Sequence, residues 1–178
     1  MEIIIIVNLV VILICVLLIW YITTYNNYQS YIIRINEAEA NIDSILRKRY
    51  DLLVKSINII KANTDQKKVL EELKAIKSKK ISNFELDRKI YEAINEFNSY
   101  KEEFRDLKKC EGFMKIELGI NETEAEIEAL RKYYNDIISD YNKLIKSFPS
   151  NIVGLFSHFK SKSYFDGKNL QKEDNLKL

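Results

Sequence analysis

The sequence predicts an all-α protein, with an N-terminal transmembrane helix followed by an elongated antiparallel helical bundle of long helices. Three observations carry that expectation. Residues 3 to 22 hold no charged side chain. The 178-residue chain contains only 4 Gly and 1 Pro, too few for the turns of a β-sandwich or the glycine loop of a nucleotide-binding α/β fold. From Tyr28 onward, apolar residues recur at three- and four-residue steps, the spacing that gathers them on one face of a helix.

The apolar run from Ile3 to Ile22 contains one strongly polar side chain, Asn8. About 20 residues at a rise of ~1.5 Å each cover a hydrocarbon layer of ~30 Å. Trp20 and Tyr21 close the run, with Tyr25, Tyr28 and Tyr31 beyond it, an aromatic belt of the kind that settles at a bilayer boundary. A cleaved signal peptide would need a basic leader, a shorter apolar core and a small-residue cleavage site. Residues 1–24 are therefore expected to be an uncleaved, single-pass anchor. Nearly all Lys and Arg lie downstream, which favours a short outside N-terminus and a cytoplasmic helical domain, although Arg34 is the only basic residue close to the run. Asn8 is either one tolerated polar group or a hydrogen-bonding contact to a second helix in the bilayer.

Residues 25–149 read as the bundle. A first stripe runs through Tyr28, Tyr31 or Ile32, Ile35, Ala38, Ile42 and Ile45 or Leu46, and resumes with Leu52, Leu53, Ile57 and Ile60; Asn63-Thr64-Asp65 makes a stop and a new helix cap. A shorter helix is expected over 66–79, with Val69, Leu70, Leu73 and Ile76 on one side. Ser82-Asn83-Phe84-Glu85 has the capping-box pattern. The third stripe is Leu86, Ile90, Ile94, Phe97, Tyr100 or Lys101, Phe104 and Leu107, with Gly112 expected to end its helix. The fourth carries Phe113, Ile116, Ile120, Ile127, Leu130, Tyr134, Ile137, Ile138, Tyr141, Leu144, Ile145 and Phe148, and Pro149 stops it. Residues 150–165 form a short amphipathic segment, expected to pack over the bundle's end or, as the alternative, to touch a membrane surface or a partner. Residues 166–178 are polar and expected to be disordered.

Charges interrupt these stripes. Arg49 falls where an apolar residue belongs, and Glu124 and Arg131 lie on or beside the last stripe. Seam charges are costly unless paired, so Arg49 is expected either to meet Glu124 or Asp136 in a register-setting pair or to snorkel from the seam's edge. On the last helix, Asn135, Asp136, Asp140 and Asn142 cluster beside Tyr134 and Tyr141. That cluster is a candidate partner surface, or a set of interhelical hydrogen bonds.

Several of these residues fall in motifs. Ile42-Asp43, Arg47-Lys48-Arg49-Tyr50-Asp51-Leu52-Leu53, Thr123-Glu124, Arg131-Lys132-Tyr133-Tyr134-Asn135-Asp136, Asp140-Tyr141-Asn142, Ser147-Phe148-Pro149-Ser150-Asn151, Gly154-Leu155-Phe156 and Tyr164-Phe165 occur in that order. The set resembles the LemA family, whose members carry a "KRRxDLI" signature and a "YND…YN…FPSN" ending. The likeness runs from the anchor to Phe165. Two positions depart from it: Glu39 stands where the family usually has Trp, and Val54 where it often has Pro. The resemblance implies a bacterial membrane protein with a cytoplasmic helical bundle, and leaves the biochemical activity open.

The remaining composition narrows the function classes. With 28 basic and 26 acidic side chains the charge is nearly balanced, which argues against nucleic acid as a partner. Cys15 lies in the apolar run and Cys110 far from it, so no disulfide is expected. The single histidine, His158, cannot supply a bundle-type metal cluster or a convincing catalytic triad. No P-loop, G-x-S-x-G or G-x-G-x-x-G occurs, and no cofactor is implied. Asn121-Glu122-Thr123 fits the glycosylation pattern only by coincidence. The expected role is a non-catalytic scaffold with unknown protein partners or a second copy of itself. The alternative is a membrane-linked signalling coupler, and carboxylate or captured-metal enzymology ranks third.

Overall fold

The computed structural model describes residues 1–66, 68–76 and 81–165. The elements are α1 (Glu2–Asn63), α2 (Glu71–Ile76), α3 (Asn83–Glu103), a 3-10 turn at Leu107–Lys109, α4 (Glu111–Lys146) and α5 (Ser150–Phe156). Among the described residues there is no strand, and the protein is all-α, with a long apolar N-terminal helix and further long helices forming a bundle. Two compact units result, one of residues 1–37 and 135–164, the other of residues 38–134 with Phe165.

In the second unit, α1 and α4 run antiparallel. Gly112 approaches Ile59, Gly119 approaches Leu52, and further along Glu124 meets Arg49 and Tyr134 meets Glu39. The core follows a seven-residue step on both helices. On α1 it takes in Ile42, Arg49 and Ser56, with Ala38, Leu46, Leu53 and Ile60 between, and on α4 it takes in Phe113, Ile120, Ile127 and Tyr134, with Ile116 and Thr123 between. The helix α3 adds Ile90, Ala93, Phe97 and Tyr100, and the Phe97 and Phe113 rings stack 4.3 Å apart between centroids. Asp87 bonds Arg131 and Lys101 bonds Glu117, so α3 is antiparallel to α4. Two core positions are hydroxyls that need no partner helix. Ser56 Oγ donates to Leu53 O at 2.6 Å, and Thr123 Oγ1 to Ile120 O at 2.8 Å.

Local chemistry sets the helix ends. Asn63 and Thr64 side chains donate to the carbonyls of Ile59 and Ile60, closing α1 where the stop was expected. Ser82 caps α3 by accepting from the Glu85 amide at 3.2 Å. Two expectations are corrected. The helix expected over 66–79 is observed only as Glu71–Ile76, with Lys67 and residues 77–80 outside the described set. Leu70 sits at φ 49°, a left-handed conformation that blocks earlier helical propagation, and its amide is taken up by Glu96 Oε1 at 2.9 Å. Gly112 does not end a helix. It lies in the first turn of α4, where a Cβ would stand 3.0 Å from Ile59 Cδ1, so its role is close helix approach.

In the first unit, the most apolar 18-residue stretch of α1 has a mean hydropathy of 3.4, and none of it is buried. It is long and apolar enough to cross a membrane. Downstream, Tyr28 and Ile35 are fully buried, and Ile137, Ile138 and Tyr141 of α4 and Val153 of α5 are buried in the same unit, with the Tyr28 and Tyr141 rings meeting edge-on. The expected disordered tail, 166–178, lies outside the described residues.

Candidate functional site

Beside the Lys101–Glu117 pair, the seam residues singled out in the sequence make three cross-helix contacts in the second unit. Arg49, 3 % exposed, takes a core position of α1, and its Nη2 donates to Glu124 Oε2. Glu124 rather than Asp136 is the partner, and its side chain remains 48 % exposed. Arg49 Nε and Nη1 are buried without a hydrogen-bond acceptor among the described residues. The second pair joins Arg131 to Asp87 of α3, with the guanidinium also lying over the Phe165 ring at 6.0 Å. In the third, Tyr134 Oη donates to Glu39 Oε1 at 3.1 Å. Burial first, and the Glu39 carboxylate second, push the Tyr134 phenol well above its ordinary range. The Glu39 backbone carbonyl also accepts from Asn83 Nδ2 at 3.2 Å, holding the start of α3.

The polar cluster of the first unit divides by exposure. Asn142 is buried, and its amide pairs with the Lys162 backbone in both directions, Nδ2 to Lys162 O at 2.8 Å and Lys162 N to Oδ1 at 2.9 Å. Tyr141 is buried edge-on against Tyr28, with ring centroids 6.1 Å apart. Asn135 is half-buried, while Asp136 and Asp140 are exposed. Asp51, in the second unit, is exposed as well. The structure thus gives Tyr141 and Asn142 internal partners and presents Asp136 and Asp140, one turn apart, to the surroundings.

Sequence reasoning missed the arrangement around Tyr28. Its hydroxyl reaches the carbonyls of Leu144 at 3.0 Å and Ser150 at 3.1 Å, tying the end of α4 to the start of α5. Gly154 permits this, since a Cβ there would stand 2.9 Å from the Tyr28 hydroxyl. The helix α5 ends on a Schellman motif, with Phe159 N bonded to Gly154 O and His158 N to Leu155 O. His158 occupies the left-handed position at φ 57°, which gives the single histidine a structural place. The reversal brings the Phe159 ring to stack on Tyr28 at 4.7 Å. Phe148, expected in the core, is instead 80 % exposed, because α4 ends at Lys146 before the stripe can carry it inward. No group of three or more His, Cys, Asp or Glu is gathered for a metal ion among the described residues. Cys15 and Cys110 are free thiols.

The seam, the YN pair and the FPSN turn are now placed, and a family model described as the LemA family matches residues 38–177. The chain belongs to the LemA family. The matched region covers the seam, α4 and α5 and begins after the apolar run. No curated protein and no solved structure matches the chain.

Proposed function

We propose that this LemA-family chain is a non-catalytic scaffold, held in a bacterial cell membrane by α1 and presenting its bundle to protein partners in the cytoplasm. The observation that carries this reading is the change of character along a single helix. From Ile3 to Ile19 the apolar side chains of α1 are exposed on all sides, whereas from Tyr28 most apolar side chains gather on one buried stripe, with Ile33 and Val54 exposed beside it. A helix apolar around its whole circumference needs lipid, and one apolar along a stripe needs other helices. The seam pairs and the Tyr28 hydroxyl serve internal packing, which leaves Asp136 and Asp140 of the original cluster for a partner. A second reading, a coupler that relays a change from the bilayer, is favoured by the unbroken course of α1 from Glu2 to Asn63.

The test is in-cell cross-linking of the full chain, followed by identification of what co-purifies in mild detergent. A reproducible partner from the membrane fraction, lost in a folded Asp136→Ala/Asp140→Ala variant, is the expected result. Recovery of the protein in the soluble fraction would overturn the anchor. Cross-links to no protein other than itself would replace the scaffold with a self-assembly.

A further inference from the structure

We infer that α5 is a second membrane contact: its outward face lies in the headgroup and upper acyl region of the same lipid bilayer that α1 crosses. The inference rests on the anchor proposed above and deepens it. The segment Ser150–Phe156 runs alongside α1 in the first unit, and its position along that helix is fixed by named contacts. Near its start, the Ser150 carbonyl accepts from the Tyr28 hydroxyl. At its end, Ser157 Oγ lies 3.0 Å from the Tyr21 hydroxyl. Tyr21 and Tyr28 are two turns of α1 apart, and Tyr21 belongs to the aromatic close of the apolar run. The short helix therefore descends toward the bilayer boundary and finishes level with the last turn of the span.

Its two faces differ in kind. Val153 and Gly154 are buried, Gly154 directly against Tyr28, and the ring of Phe159 is stacked on Tyr28. The other face shows Leu155 at 75 % exposure, Phe156 at 72 % and Ile152 at 40 %, with Phe148 beside it. Large exposed apolar side chains grouped this way mark an interaction surface. Lipid is the occupant that fits, because the patch is continuous with the exposed apolar side chains of α1 through the Tyr21 and Tyr25 contacts to Ser157 and Phe159. Charge agrees. Residues 143–162 contain Lys143, Lys146, Lys160 and Lys162 and no Asp or Glu, in a chain whose charges otherwise nearly balance. Lysines flanking an apolar face at the boundary suit anionic headgroups and interfacial insertion.

The test uses the full chain reconstituted in vesicles of phosphatidylcholine and phosphatidylglycerol, with bromine carried at either a shallow or a deep acyl position. Trp20 is the only tryptophan, so its quenching by bromolipid reports the anchor by itself. A Trp20→Phe/Phe156→Trp variant moves the probe to α5, and Trp20→Phe/Leu155→Trp repeats the measurement should the first fail to keep the helical far-UV spectrum of the parent. The expected result is a blue-shifted emission quenched more by shallow than by deep bromine. Quenched Trp20 with an α5 probe that is open to aqueous iodide would overturn the inference and leave the anchor standing. A blue-shifted probe that bromolipid does not quench would mean a protein covers the face, and would overturn it too. Loss of quenching at both Trp20 and α5 would remove the anchor reading along with it.

Discussion

Replacing Arg49 by Met is expected to stabilise the protein. The guanidinium is almost fully buried at a core position of α1, and one of its three nitrogens has a partner, Glu124, while Nε and Nη1 have none among the described residues. Each buried N–H without an acceptor costs about 1–3 kcal/mol, and a hydrogen bond to a charged group returns about 1.5–3 kcal/mol. The return here falls toward the low end, because Glu124 is half exposed and solvent screens the pair. Met keeps the packed stem and removes the buried charge, and the Glu124 carboxylate left behind is half exposed and stays solvated, so the exchange resembles replacement of a whole buried pair, which ranges from neutral to a gain of about 1–4 kcal/mol. The expectation for Arg49→Met is therefore a gain of about 1–3 kcal/mol, an upward shift of the thermal midpoint by roughly 2–12 °C for a chain of this size. Far-UV circular dichroism of the full chain in mild detergent reads it. A double-mutant cycle adds the partner: Glu124→Gln should cost about 1 kcal/mol in the parent and nothing measurable beside Arg49→Met. A lowered midpoint for Arg49→Met, or an undiminished Glu124→Gln cost in that background, would refute the reasoning. Both would mean that the arginine stabilises the seam rather than only fixing its register.

Two further outcomes follow from the geometry. Asn142→Asp removes the donor that faces Lys162 O and sets two oxygens against each other, so a loss of about 1–3 kcal/mol is expected, with faster amide exchange at Lys162 read by mass spectrometry; unchanged exchange would show that the amide holds nothing. Burial first and Glu96 second push the Tyr100 phenol up to about 12, above its unfolded value near 10. A raised folded-state value means the stabilising contribution is fully present below pH 10 and is lost as pH rises from there toward 12. Absorbance titration should therefore show late phenolate formation in the folded chain that denaturant removes, and Tyr100→Phe should flatten the alkaline fall in stability.

The parts of the fold that depend on spacing along one helix were legible. Tyr28, Ile35, Ala38, Ile42, Leu46, Leu53, Ile57 and Ile60 share a stripe because the helical period puts them there whatever the partner is, and the structure buries them, while Leu52 and the alternatives Tyr31, Ile32 and Ile45 are half-buried at its edge. The cost of a lone charge in that stripe made Glu124 and Asp136 candidate partners for Arg49, beside a snorkelling position, and tertiary approach selects Glu124. What escaped depends on tertiary approach. Gly112 reads as a terminator in isolation, yet it is a contact point for Ile59. Phe148 continues the apolar period by number, but the helix beneath it has already ended. Asn142 and Lys162 lie 20 residues apart with no local pattern to join them, and Glu39 reads as a solvated carboxylate until Tyr134 is seen opposite it. The short residues 70–76 were over-read as a longer helix because propensity does not register the left-handed Leu70.

The Asn142 clasp has a consequence for the integrity of the chain. Beyond it, Tyr164 Oη lies 3.0 Å from Ser139 Oγ, and the Phe165 ring meets Phe84 and Tyr134 edge-on. A peptide bond severed anywhere between Ser157 and Ser161 would thus leave a C-terminal fragment with its own attachments to α4, made by two hydrogen bonds between the Asn142 side chain and the Lys162 backbone, a hydroxyl pair and a buried aromatic ring. A nick in that stretch is not a truncation. The severed pieces would migrate together under native conditions and separate only when the helices are melted.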